Sequence, residues 1–215
     1  KKKPITIELN EGFLNNYTLN LLINHQHNTK LELINQGKIL AELLVQAGLK
    51  LEENSEEPLH FIPHIIVYIK GYEQKGKFIN VLNDVNDLYN WYVSLVEQID
   101  TNNLNKVYQI AKDITKGMTS DAEKTETIFN WVQDNITYVA FEDGLGGFVP
   151  RGAASVCDKR YGDCKDMANL LYEMLNHVGV EAYRTWIGTR NRPYSYYDVP
   201  TPMVDNHMIT AAVIE

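Results

Sequence analysis

Cys164 and His207 are the residues of this chain whose types and setting could make a nucleophile and its base. Cys164 stands in Gly162-Asp163-Cys164-Lys165-Asp166, just before Met167, Leu170, Leu171, Met174, Leu175 and Val178. These apolar residues recur at i, i+3, i+4, i+7, i+8 and i+11, the stripe of a core helix, so the spacing predicts a helix over roughly 163–178 with the cysteine in its first turn. Gly162 permits the tight turn into that helix, and Gly179 ends it. A thiol in a first turn meets unpaired backbone N–H groups and the positive end of the helix dipole; both favour the thiolate, the nucleophilic form. A cysteine is more commonly a small buried hydrophobe. Here Asp163, Lys165 and Asp166 make the position polar, which points away from plain core.

A nucleophilic thiol needs a proton acceptor. Residues Asp205 to Ile214 read as a strand rich in β-branched and apolar residues, with His207 near its start. A histidine at the end of a core strand can face a helix N-terminus packed across the sheet, take the thiol proton and return it to a leaving amine. Lone histidines are usually ordinary surface or core residues, and His25, His27, His60, His64 and His177 have no comparable setting. The second cysteine, Cys157, could in principle bridge to Cys164, but a bridge would consume the nucleophile, so two free thiols are expected. Zinc held with His207 is a third reading, and no C-x-x-C or H-x-x-x-H pair anchors it. Neither metal nor cofactor is expected: Gly144-Leu145-Gly146-Gly147 lacks the G-x-G-x-x-G spacing and any Walker lysine.

Two regimes of elements must position these residues. Residues 1–82 mix short apolar alternations (Ile5, Ile7, Leu9; Leu31, Leu33) with the run Ile65-Ile66-Val67-Tyr68-Ile69, all strand-like. Between Gly37 and Gly48, Ile39, Leu40, Leu43, Leu44 and Ala47 have helical period over a short span, and Glu52 to Pro58 is an acidic loop. From Asp84 onward helices dominate: Leu88, Trp91, Tyr92, Leu95, Val96 and Ile99 form one stripe, and Leu104, Val107, Tyr108, Ala111 and Ile114 the next. Ser120 and Glu123 make a capping box for a further helix through Gln133. Val180 to Gly188 reads as a strand, and Thr189 to Asp205 as a long connection carrying Tyr194, Tyr196 and Tyr197. Loops of such length are often functional. These tyrosines either line a cleft for an extended peptide or merely pack the loop down. Trp131 and Trp186 sit in periodic elements and read as core.

With these residues in place the chain resembles the transglutaminase-like superfamily, a branch of the papain-type cysteine hydrolase fold found in many bacterial proteins. Glu126-Thr127-Ile128-Phe129-Asn130-Trp131 through Tyr138 resembles the helix and strand before the nucleophile; Arg160 to Asp166 is similar to the nucleophile motif. Val178 to Tyr183 resembles the helix-to-strand turn, and Asn206-His207 the base. The likeness covers roughly residues 105–215, and Asn83 to Ile99 is similar to the segment that follows an upstream β-rich domain of unknown function in bacterial relatives. The resemblance implies Cys164 and His207 as catalytic residues, a cleft lined by Tyr161, Tyr196, Tyr197 and Asn206, a peptide or protein substrate, and a periplasmic or cell-surface setting. It also implies an aspartate on the strand after the histidine strand. No aspartate follows His207, so the chain is expected to be a C-terminally truncated piece whose dyad lacks its orienting acid.

The fold expected is α+β: a papain/transglutaminase-like core over 83–215, its nucleophile helix packed on an antiparallel sheet, preceded by a β-rich region over 1–82. Apolar residues make up 44% of the 215, enough for a real core. A net charge of −8 argues against nucleic acid as a main partner, because phosphate binding wants clustered Lys and Arg. Lys1-Lys2-Lys3 reads as a solvated tail, and no apolar stretch is long enough to span a membrane. The chemistry implied is thiol attack on an amide carbonyl, with the Cys164 N–H as one oxyanion donor and the second donor unplaced. Hydrolysis by a peptidase or amidase is the expectation ahead of transglutaminase-type transfer to an amine. The competing reading is a non-catalytic scaffold that uses the cleft to hold a peptide or envelope component.

Overall fold

The computed structural model describes residues 65–140 and 143–214, together with the strands at 5–8, 17–23, 30–34 and 38–42. The acidic stretch at 52–58 and the apolar positions 43–48 lie outside the described residues. The chain divides into two compact units, Lys1–Asn90 with Gly188–Asp205 and Trp91–Ile187 with Asn206–Glu215.

In the first unit, β1 (Ile5–Glu8), β3 (Lys30–Ile34) and β4 (Lys38–Glu42) form one antiparallel sheet in the order β1-β4-β3. A second antiparallel sheet runs β2-β5-β6, from β2 (Tyr17–Ile23), β5 (Ile65–Gln74) and β6 (Lys77–Asn80). The turn between β5 and β6 places Lys75 and Gly76 at φ 51° and 74°, the positive values of a two-residue hairpin turn whose twist matches the strands. The helical spacing around Ile39 and Leu40 is overridden: β4 is the middle strand and pairs on both edges, which satisfies its backbone groups twice over. Five residues are too few for periodicity to separate helix from buried strand. The long connection 188–205 is not featureless: Arg192 N–H donates to Thr189 C=O (2.8 Å) and Val199 N–H to Ser195 C=O (3.0 Å). Thr201 caps a short 3-10 turn, Pro202–Val204, that buries Val204.

Helix α1 (Val85–Val96) starts in the first unit and ends in the second. The second unit then holds α2 (Asn105–Ile114), α3 (Asp121–Asn135), α4 (Ala153–Lys159) and α5 (Cys164–His177). Between them lie β7 (Thr137–Tyr138) and β8 (Tyr161–Gly162), a short parallel pair, and after α5 come β9 (Ala182–Ile187) and β10 (His207–Ala212), an antiparallel pair. The stripes read from the sequence close on one another: Val107 and Ala111, Ile128 and Val132, Val156, Leu170, Met174 and Leu175 are all buried in one cluster. The Ser120 hydroxyl caps α3 by accepting the Glu123 N–H, as the box spacing predicts. Gly179, at φ 88°, follows α5 in the left-handed conformation that a helix end favours for glycine.

The direction of β10 relative to α5 follows from hydrogen bonds. Asn176, near the end of α5, donates to Ala182 C=O (3.1 Å), while Arg184 reaches back to Glu173 (2.9 Å) and Asn169 (2.7 Å). Strand β9 therefore runs back along the helix towards its N-terminus. Strand β10 is antiparallel to β9, pairing Ala212 with Ala182 and His207 with Ile187, so it runs the same way as α5. The Thr210 hydroxyl donates to Ala168 C=O (2.8 Å) and ties the strand to the helix. His207, the first residue of β10, thus lies at the same end of the unit as Cys164, the first residue of α5.

Candidate active site

The N-terminus of α5 is held by a closed set of polar contacts. Asp163 is the N-cap: its carboxylate accepts the Asp166 N–H (3.2 Å), and the Asp166 carboxylate accepts the Asp163 N–H (3.1 Å), a capping box in which aspartate fills both positions. Asp166 is wholly buried and is also gripped by Arg151, through its N–H (2.7 Å), Nε (2.9 Å) and Nη2 (2.7 Å). Burial by itself would raise the Asp166 pKa; the Arg151 side chain and backbone donors outweigh it and hold the carboxyl below the usual carboxylate range. Arg151 Nη2 also donates to Tyr161 C=O (3.2 Å), so one guanidinium joins the loop before α4, strand β8 and the first turn of α5. Lys165, buried beside the cysteine, pairs with Asp163.

The polar residues that flank Cys164 in the sequence, Asp163, Lys165 and Asp166, are all buried, and pairing makes that tolerable. Gly162 is also needed for another reason than a tight turn. A Cβ added there would lie 2.7 Å from Asp166 Cβ, so the glycine lets strand β8 approach the helix. Within this frame Cys164 is a partly exposed free thiol. Cys157 is free as well, buried in the core cluster, and burial pushes its thiol pKa up.

His207 is half-buried. Strand alternation puts Met208 and Thr210 on the helix-facing side, the first fully buried and the second bonded to Ala168, and His207 on the other. Next to the start of β10 Trp186 stacks on Tyr92 (5.2 Å between centroids, 18° between planes), and Phe148 meets Trp91 edge-on (5.2 Å).

The four residues expected to line a cleft are dispersed in role. Tyr161 lies under the Arg151 guanidinium, 4.9 Å from the ring centroid. Asn206 donates its N–H to Ile187 C=O (3.1 Å) and so extends the β9–β10 ladder by one bond. Within the first unit, Tyr196 donates to the Asp205 carboxylate (2.7 Å), and burial, then that partner, raises its phenol pKa strongly. Tyr197 is 87% exposed. Sequence reading missed Arg151, because an arginine that closes a cap from a preceding loop leaves no periodic signal. It also passed over Tyr138, although that residue ends the stretch Glu126–Tyr138: β7 pairs Tyr138 with Gly162, and burial, then the neighbouring Cys164 and Asp163, pushes its phenol pKa up.

The second unit thus carries a thiol at the first residue of a capped core helix and a histidine at the first residue of the last strand of an antiparallel pair. Residues 108–214 match the model of the Transglutaminase-like superfamily, and through this segment the chain belongs to that superfamily. Membership carries cysteine-hydrolase-type chemistry at the level of the superfamily. The match starts at residue 108 and supplies no counterpart for the upstream β-rich domain expected of the N-terminal half. Among curated proteins none matches. A crystal structure of a candidate protease from Parabacteroides distasonis ATCC 8503 superposes with a TM-score of 0.62 at 13% identity, covering 98% of this chain and 38% of that one. A candidate cysteine protease from Cytophaga hutchinsonii gives a TM-score of 0.41 at 16% identity, covering 93% of this chain and 62% of that one. The chain therefore spans less than two thirds of the length of either, and the first shares its mixed helix-and-sheet fold.

Proposed function

We propose that Cys164 attacks the carbonyl carbon of an amide bond in a peptide or protein, with His207 as the base. The observation that supports this reading is directional: α5 and β10 run the same way and begin at the same end of the unit, so their first residues, Cys164 and His207, lie at that end. In the first step the carbon–sulfur bond forms and the carbonyl π pair moves onto oxygen. The pair then returns, the carbon–nitrogen bond breaks, and the amine leaves with the proton that His207 took from the thiol. Water, deprotonated by the same imidazole, cleaves the thioester and frees the acid. An amine in place of that water would make the reaction acyl transfer. The test is hydrolysis of unfolded casein by the wild-type chain, Cys164→Ala and His207→Gln, each with and without dansylcadaverine. Cleavage abolished in Cys164→Ala and slowed by about 10²–10⁴ in His207→Gln supports the reading. Dansyl incorporation exceeding cleavage would move it to transfer. Casein binding that survives Cys164→Ala, in a chain that never cleaves or labels casein, would replace the enzyme with a scaffold.

A further inference from the structure

We propose that Arg184 and Asn169 are positioning residues that set how far along their common direction Cys164 and His207 stand; the assignment rests on the cysteine-hydrolase reading above. A polar stripe runs along this core helix. Asp166, Asn169 and Glu173 occupy i, i+3 and i+7 of α5, one face of the helix, where the first two are fully buried and the third nearly so. Arg151 holds Asp166. Arg184 takes the other two: its Nε donates to Asn169 Oδ1 (2.7 Å) and its Nη2 to Glu173 Oε1 (2.9 Å), while the Tyr108 hydroxyl donates to Glu173 Oε2 (3.0 Å). Asn169 Nδ2 in turn donates to Arg151 C=O (3.0 Å). Buried charges of this kind roughly break even against well-packed apolar residues, so stability alone does not call for them. What they add is register, because a polar residue accepts one alignment of its neighbours where apolar packing accepts several.

The register held here is that of the thiol and the imidazole. A guanidinium donates and never accepts, so Arg184 turns the Asn169 amide oxygen towards β9 and leaves the amide nitrogen for Arg151. Arg151 is thereby tied to α5 by both of its backbone groups, N–H to Asp166 (2.7 Å) and C=O to Asn169, residues one turn apart. Arg184 stands opposite Thr210 in the β9–β10 ladder, and the Thr210 hydroxyl donates to Ala168 C=O (2.8 Å). Helix, sheet and the Arg151 loop are therefore pinned at one level, Ala168–Asn169 against Arg184–Thr210. From that level Cys164 is four to five residues back along α5, about 6–8 Å at a rise of about 1.5 Å, and His207 is three residues back along β10, about 10 Å at a rise of about 3.3 Å. The two residues thus end within about 2–4 Å of the same depth. The smallest slip of β10 that keeps Met208 and Thr210 on the helix-facing side is two residues. Such a slip would carry His207 about 7 Å along and take the base away from the depth of the thiol.

The experiment compares variants of the full 215-residue chain with wild type, each by kcat and KM for casein hydrolysis and by the urea midpoint of unfolding. Asn169→Leu keeps nearly the same volume and removes both hydrogen bonds of the amide. Arg184→Lys keeps a cation beside Glu173 but has no fork to hold Asn169 as well. Glu173→Gln is the control: it removes the charge of the ion pair and leaves Arg184 Nε on Asn169. The expected result is kcat lowered about 10–10²-fold in Asn169→Leu and Arg184→Lys, with KM within about threefold, because the groups that react are displaced while those that bind are not. Glu173→Gln should unfold at lower urea yet keep kcat within about threefold of wild type. A kcat within about threefold of wild type in Arg184→Lys overturns the assignment, and does so even where Asn169→Leu fails to fold. So does a kcat that follows the urea midpoint through all the variants, which would make the stripe structural only. A wild-type chain that never cleaves casein overturns the cysteine-hydrolase reading and this assignment with it, whereas cleavage that survives Asn169→Leu and Arg184→Lys overturns this assignment alone.

Discussion

Arg151 and Asp166 show at single residues what holds the first turn of α5, and Cys164 with it, in place. Asp166 is fully buried and every donor it receives comes from Arg151 or from the N-cap, so removing the guanidinium leaves a desolvated carboxylate. Arg151→Ala should cost about 3 kcal/mol or more in urea unfolding at neutral pH, because an unpaired buried charge is dearer than a lost surface pair. Arg151→Lys should not restore it, since a lysine cannot reproduce the Nε and Nη2 fork. The pH dependence has a definite sign. The Asp166 pKa is depressed in the folded state, so its contribution is fully present above the ordinary carboxylate value of about 3.9 and is lost as pH falls through the lower folded value. Without the guanidinium only the Arg151 and Asp163 backbone N–H groups oppose burial, which raises the pKa, so acid unfolding of Arg151→Ala should begin at higher pH than in wild type. An acid midpoint that does not move would mean that Asp166 is not the group Arg151 holds ionised. Residue types alone reveal little of this. The sequence marks Asp163, Lys165 and Asp166 as polar, but whether a charge is solvated or buried depends on a partner, and Arg151 is brought in by the fold.

At the scale of elements, the apolar stripes were legible because each helix presents one face to a shared core. Cys164–His177 opens at the residue the periodicity predicts, and Ser120 caps α3 where the box spacing puts it. What the stripes cannot convey is how closely two backbones approach. Gly162 and Gly179 bracket α5 and look alike in sequence, yet they serve different ends. Gly179 has a positive φ with nothing within 4 Å of an added Cβ, so Gly179→Ala should cost only left-handed strain, about 1 kcal/mol. Gly162→Ala would drive a methyl to 2.7 Å from Asp166 Cβ and 3.3 Å from Val156 Cγ1, where helix, strand and α4 meet. Overpacking of that kind costs about 1–3 kcal/mol, and here it displaces the capping residue beside the thiol. The expected outcome is that Gly162→Ala changes both the unfolding midpoint and the iodoacetamide rate of Cys164, while Gly179→Ala changes only the midpoint. Identical alkylation in both variants would show that the cap can shift without carrying the cysteine along.

At the scale of the whole molecule, half of the chain was readable as a family core, while the path of β10 past α5 was not. That path depends on Arg184, Asn176 and Thr210, polar residues whose partners are set by packing and leave no pattern along the chain. The two cysteines offer a way to measure how far this packing is cooperative. Cys164 is partly exposed at a helix end, whereas Cys157 is 1% exposed in a cluster drawn from α2, α3, α4, α5 and β9. Burial also raises the Cys157 pKa, so its thiolate is scarce as well as inaccessible. Its modification therefore requires that cluster to open, and because every helix of the cluster contributes, the opening is the unfolding of the second unit itself. In native buffer iodoacetamide should add to one thiol per chain, at Cys164, with Cys157 following at a far slower rate that rises with urea along the same slope as the circular-dichroism transition. Mass spectrometry of tryptic peptides resolves the two sites. If Cys157 labels as fast as Cys164 without denaturant, or if its urea dependence is much shallower than that of global unfolding, then α4 opens on its own. The frame around Cys164, tied to α4 through Gly162 and Val156, would then be held more loosely than its hydrogen bonds imply.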